Sequence, residues 1–169
     1  MQSFCANSPS LAPQFCVDFL CGIIYNTNVV PRVVIDTSVL VSGLRSRNGA
    51  SYRLLTLIDS GKFEPCVSVP LVLEHEAAGK RATSDTSVSI ADVDAVIDYV
   101  CHVATHHKIH YLWRPALRDP KDDMVLELAV NAGKDTIVTH NLRHFRGSDR
   151  FGVRIASPGE FLREIGGII

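Results

Sequence analysis

No lysine or arginine precedes Arg32, and Asp18 carries the only formal side-chain charge of the first thirty residues. A secretory signal opens with a basic stretch, so that reading falls away. No long apolar run is present either: residues 16–24 are interrupted by Asp18 and fall far short of the ~20 residues that a membrane span needs. Cysteine is sparse, with five residues in no CxxC or other tight spacing. That odd number argues against a disulfide scaffold and suits a reducing compartment, so the expectation is a soluble cytoplasmic protein. Positive charge is not in excess: 17 basic against 18 acidic side chains leave a net charge of −1. Any affinity for nucleic acid must then come from a local arrangement of residues.

What is present is a chain of 169 residues, 46% hydrophobic, large enough for one domain that buries roughly 70% of the surface its unfolded form exposes. All 17 basic residues follow residue 30, whereas three of the five cysteines precede it. Residues 1–30 therefore read as an extension, or as the product of a start codon placed too early, and 31–169 as the folded domain. From there the pattern alternates. The β-branched run at 32–36 predicts a strand buried on both faces. Helical spacing follows over 50–60, closed by Gly61, then a strand at 63–69 and a helix opened by Pro70. Beyond a polar loop at 83–89 come a helix over 90–104, a strand at 109–113, and a helix from Asp119 to Ala132. Strands at 136–139 and 153–156 and a last helix from Ser157 complete the order. Alternating elements of this kind predict an α/β domain with a mainly parallel sheet of about five strands.

In such sheets chemistry collects where the strands end. Asp36 ends the first strand and is followed by Thr37 and Ser38; it reads either as a functional acid or as a helix cap. Glu74 lies in the helix after the second strand, with Glu76 nearby. Asp119, Asp122 and Asp123 crowd one helix start, where Asp119 as N-cap and Pro120 at N1 need no function. Three carboxylates so close repel, however, and a divalent cation relieves that cost. A helical wheel at about 100° per residue sets Asp122 at the margin of the stripe formed by Met124, Val125, Leu128, Ala129 and Ala132, and turns Asp123 away from it. Thr139 and Asn141 emerge after the fourth strand, on the same edge as Asp36. Carboxylates, an amide and hydroxyls without a Cys/His cluster make a hard-oxygen site that favours Mg²⁺ or Mn²⁺. The chemistry that follows is phosphodiester hydrolysis by an activated water.

Four segments carry a family likeness: RVVIDTSVLVSG at 32–43, VPLVLEHE at 69–76, DPKDDMVLELA at 119–129 and IVTHN at 137–141. Their order and spacing resemble those of a PIN domain, over roughly residues 31–165, and most of all the bacterial branch of toxin components of toxin–antitoxin pairs. The resemblance implies a three-layer α/β/α sandwich and metal-dependent endoribonuclease activity. Carried over by position, Asp36, Glu74 and Asp122 are the catalytic, metal-binding acids, with Asp119 a neighbouring carboxylate and Asn141 a further ligand. Thr37, Ser38 and Thr139 match hydroxyls that hold the acids or a water, and Asp123 is a supporting residue. It also implies RNA as substrate, an antitoxin protein that occludes the acidic pocket, and a homodimer. Three positions depart from the pattern, and one of them, His75 where relatives often have Tyr after the glutamate, reads as a tolerated change. Asn141 stands where many relatives have Asp, so a second cation there lacks a charged ligand. Gly79 stands where a bulkier apolar residue is expected, and lowers helix stability by up to about 1 kcal/mol.

Arg45, Arg47, Arg143 and Arg146, with Lys80, Arg81 and Arg150, lie in loops or near element ends where they could hold an RNA backbone through salt-sensitive contacts; a solvated surface is the competing reading. His102, His106, His107 and His110 suggest zinc only on a continuous helix, and a strand is expected to begin at Lys108. Serine-nucleophile hydrolysis lacks its Gly-x-Ser-x-Gly elbow. An aspartate-nucleophile phosphatase needs a second Asp where Ser38 stands. The main competitor is a catalytically silent RNA- or protein-binding module of the same fold, and Asn141 is the residue that favours it.

Overall fold

The computed structural model of this chain describes residues 30–109, 117, 119–133 and 136–167; the extension read into 1–30 lies almost wholly outside them. Five parallel strands form the sheet: β1 (Arg32–Ile35), β2 (Glu64–Val67), β3 (Thr105–His106), β4 (Thr136–Val138) and β5 (Arg154–Ala156). Their order is β3-β2-β1-β4-β5, the arrangement expected of an α/β fold with a parallel sheet. The chain therefore winds outward from β1 in one direction through β2 and β3, then returns to place β4 on the other side of β1. The reversal point lies between β1 and β4, where open α/β sheets leave a crevice at the carboxyl edge.

Period-two alternation sends side chains to opposite faces, and both faces are covered. Val33, Ile35, Val67, Val138 and Ala156 pack in one buried cluster with Leu54, Ile58, Phe161 and Leu162. Val34, Cys66 and Ile137 pack in another with Val125, Leu126, Leu128 and Ala129. The helices that supply these partners are α1 (Thr37–Arg45), α2 (Ala50–Thr56), α3 (Val69–Ala82), α4 (Ile90–Val103), α5 (Pro120–Asn131) and α6 (Pro158–Glu164). Thus α5 covers one face while α2 and α6 cover the other, giving three layers. Local chemistry sets the boundaries: Ser89 with Asp92, and Ser157 with Glu160, form reciprocal capping boxes at the starts of α4 and α6.

Two local features differ from the sequence expectation. The third strand forms at Thr105–His106, pairing with Cys66 and Val67, not at 109–113; Ile109 lies in no strand and 110–113 fall outside the described residues. The reason is the abrupt end of α4, where Ala104 is already extended. The strand therefore begins at once and separates His102 from His106, whose Nε2 lies 2.7 Å from the Cys101 carbonyl. The second difference is α1 itself, which follows Asp36 without a break. Among the described residues no helix is long and apolar enough to cross a membrane.

Candidate metal centre

Asp36 follows β1 directly and its backbone N–H donates to Val138 O at 2.9 Å, so β4 fixes where the residue sits. It occupies the N-cap position of α1, yet its side chain makes no capping bond. The carboxylate is turned the other way. Its Oδ2 accepts from Ser38 Oγ at 2.5 Å and from buried Thr139 Oγ1 at 2.7 Å. The clamp extends further, because Thr139 Oγ1 accepts from the Asn141 N–H at 2.9 Å and Ser38 Oγ from the His140 N–H at 3.2 Å. Hydroxyls from α1 and from the end of β4 thus orient one acid and the loop carrying Asn141 together.

Asp36, Thr37, Ser38, Glu74, Asp119, Lys121, Asp122, Asn141 and His144 line one cleft of about 190 Å³ at the carboxyl edge of the sheet. Asp119 both lines it and caps α5, accepting from Lys121 N at 3.0 Å. Burial pushes the Asp122 carboxyl above its ordinary range; the neighbouring Asp119 and Asp36 charges push the same way, and His144 opposes them. His144 Nδ1 lies 3.1 Å from Asp122 Oδ2. Glu74 pairs with Arg81 at 3.3 Å. Among the described residues no three His, Cys, Asp or Glu side chains close around one point as a ready-made ion site. The acids share a cleft, and two of them hold a basic partner, His144 within the cleft and Arg81 outside its lining.

The donor chemistry suits a hard cation. The cleft gathers carboxylates, hydroxyls and an amide, with the Met124 thioether at its wall and no cysteine among its lining, and the mutual repulsion felt at Asp122 is what a divalent ion offsets. Arg81 and His144 are the groups such an ion would compete with.

Other candidates lie elsewhere. Asp123 is buried, and its Oδ1 accepts from the Leu117 N–H at 2.8 Å, holding the approach to α5 rather than lining the cleft. The wheel turns it outward; Leu117 meets that side of the helix, so α5 is buried beyond one stripe. Arg45 reaches Asp85 at 3.7 Å and Lys80 pairs with Glu76 and Asp94. Arg47 lines a separate, largely apolar groove of about 540 Å³ beside Tyr52, Leu55, Val96 and Tyr99. Arg143 and Arg146 are exposed on the loop after β4, the loop that also carries the cleft residues Asn141 and His144.

Sequence reasoning assigned no role to two residues that the structure sets against the acids. His144, four positions beyond His140, meets Asp122 only because the loop after β4 folds back over the start of α5. His75 is buried, and its Nε2 lies 3.2 Å from Ile35 O. Burial lowers its pKa to about 4, against a smaller opposing pull from Asp36. Its position directly after Glu74 was the available signal.

Comparison with known families adds one finding: the model of the family described as PIN domain matches residues 32–143. No curated protein matches the chain.

Proposed function

We propose, from the premise that this chain belongs to the PIN-domain family, whose members are generally nucleases, that it is an endoribonuclease dependent on Mg²⁺ or Mn²⁺. The observation that carries the reading is the single cleft in which Asp36, Glu74 and Asp122 arrive from three separate elements. These three would hold the cation, with Asp119 alongside and Asn141 completing or orienting the shell. When bound, the ion supplies Lewis acidity that lowers the pKa of water and offsets charge on the scissile phosphate. The chain's own part is orientation. Ser38 and Thr139 fix Asp36 through Oδ2, so Oδ1 is not needed for that clamp. Lys121 at the cleft wall would supply positive charge to a phosphate, and exposed Arg143 and Arg146, on the loop that carries Asn141 and His144, would meet a strand leaving the cleft.

The test is single-stranded RNA incubated with the purified protein and Mn²⁺, beside Asp36→Asn. Cleavage should fall by about a hundredfold or more in the variant, matching the several kcal/mol that a bound metal contributes. Equal cleavage by both proteins overturns the assignment.

A second reading has its own observation. Arg81 pairs with Glu74 and His144 lies within hydrogen-bond reach of Asp122, so two of the three acids already have partners in the protein, which suits a silent binding module. Calorimetric titration with Mn²⁺ separates the two, since a silent module shows no heat that depends on Asp36. The role of toxin in a toxin–antitoxin pair rests on the likeness of the four segments alone. Growth arrest on expression, relieved by the product of an adjacent small gene, is its test.

A further inference from the structure

Backbone groups of successive strand residues point to opposite neighbours. Asp36 donates to β4, so the carbonyl of Ile35 points towards β2. There the pairing of β1 with β2 covers only Arg32↔Glu64 and Val33↔Pro65. The strands part beyond that register, and His75 from α3 meets the Ile35 carbonyl instead, at 3.2 Å. A carbonyl oxygen only accepts, so the proton sits on Nε2. Nδ1 is then a bare acceptor, buried and without a hydrogen-bond partner among the described residues.

That arrangement is costly. An apolar side chain of similar shape would fill the space without an orphaned acceptor, which costs free energy wherever it is buried. The one bond His75 makes ends on the residue before Asp36, and His75 itself follows Glu74. The ring is a direct tie between the two elements that deliver those acids.

We propose that His75 is a positioning residue: its Nε2–H bond to Ile35 locks α3 to the end of β1 and so sets the separation of the Asp36 and Glu74 carboxylates. The proposal rests on the cation reading of the cleft. Outer residues that orient ligands typically change metal affinity by roughly 10–100-fold when removed.

The experiment is calorimetric Mn²⁺ titration of the wild-type chain, Asp36→Asn, His75→Phe and His75→Gln. His75→Phe fills the space without a donor, whereas the Gln amide restores one. The expected result is affinity about tenfold or more weaker in His75→Phe and largely recovered in His75→Gln, a rescue that a purely space-filling role does not give. Wild-type binding with His75→Phe within about twofold of it, or equal loss in both variants, overturns the positioning role alone. Absence of any binding that depends on Asp36 overturns the cation reading and this proposal with it. Long-range ¹⁵N NMR of wild-type His75 stands apart from the variants' folding: a proton on Nε2 is required, and one on Nδ1 overturns the proposal.

Discussion

A single carboxylate oxygen, Asp36 Oδ2, takes two hydroxyl bonds from residues about a hundred positions apart in one case and two in the other. Thr139 is fully buried, so Thr139→Val keeps shape while stripping a donor from Asp36 and an acceptor from the Asn141 N–H. We expect a loss of about 1–3 kcal/mol in urea denaturation, and a double-mutant cycle with Ser38→Ala should show coupling because both bonds end on one atom. His75 makes stability depend on pH. Its folded pKa of about 4 lies below the ordinary 6.5, so the unfolded chain takes up a proton first as pH falls. This contribution is intact above pH 6.5 and is lost progressively towards pH 4, to a total of about 3 kcal/mol. The unfolding midpoint of wild type, taken relative to that of His75→Gln, should fall as pH drops through that window; a constant difference contradicts the buried neutral ring.

At the scale of elements, Gly79 explains itself through its neighbour. It is buried on α3, and a Cβ there would lie 2.7 Å from Val93 Cγ1 on α4. The bulkier residue expected at this position would force the two helices apart. Gly79→Ala gains up to about 1 kcal/mol of helix propensity but should still destabilise by about 1–3 kcal/mol through overpacking. Thermal unfolding of Gly79→Ala with Val93→Ala should recover most of that loss, and failure to recover would mean the contact is not the cause. The elements themselves were largely legible. β-branched runs marked β1 and β4, and helical spacing marked α3, α4 and α5. The helix over 37–45 escaped because Asp36-Thr-Ser reads equally as an acid followed by polar residues and as a cap. The third strand was misplaced because apolar Ile109 looked a better strand residue than Thr105 and His106, although the latter two are where the sheet needed a partner.

For the molecule as a whole, a net charge of −1 means that RNA is held locally or hardly at all. Arg45, Lys80 and Arg81 already face acids of this chain, Arg47 lines the separate apolar groove and Arg150 bonds the Gly147 carbonyl, leaving Arg143 and Arg146 as the stronger candidates among those named. Replacing both with Ala should weaken RNA binding across sequences. It should also flatten the plot of log affinity against log salt by about 0.7 for each phosphate that the protein no longer neutralises. Filter binding over a salt series reads this directly, and an unchanged slope removes these two residues from the RNA path.

The alternation of strands and helices, the parallel α/β class and the family likeness were legible in the sequence alone, because they follow from local periodicity and from short segments whose residues are neighbours in the chain. Which acids meet, and what holds them, was decided only by tertiary structure. The sheet reverses between β1 and β4, and that crossing brings Thr139 onto Asp36 and His144 onto Asp122, while on the other side of β1 the helix after β2 brings His75 to the Ile35 carbonyl. No local pattern encodes a bond between residues so far apart, since its partners become neighbours only once the strands have paired.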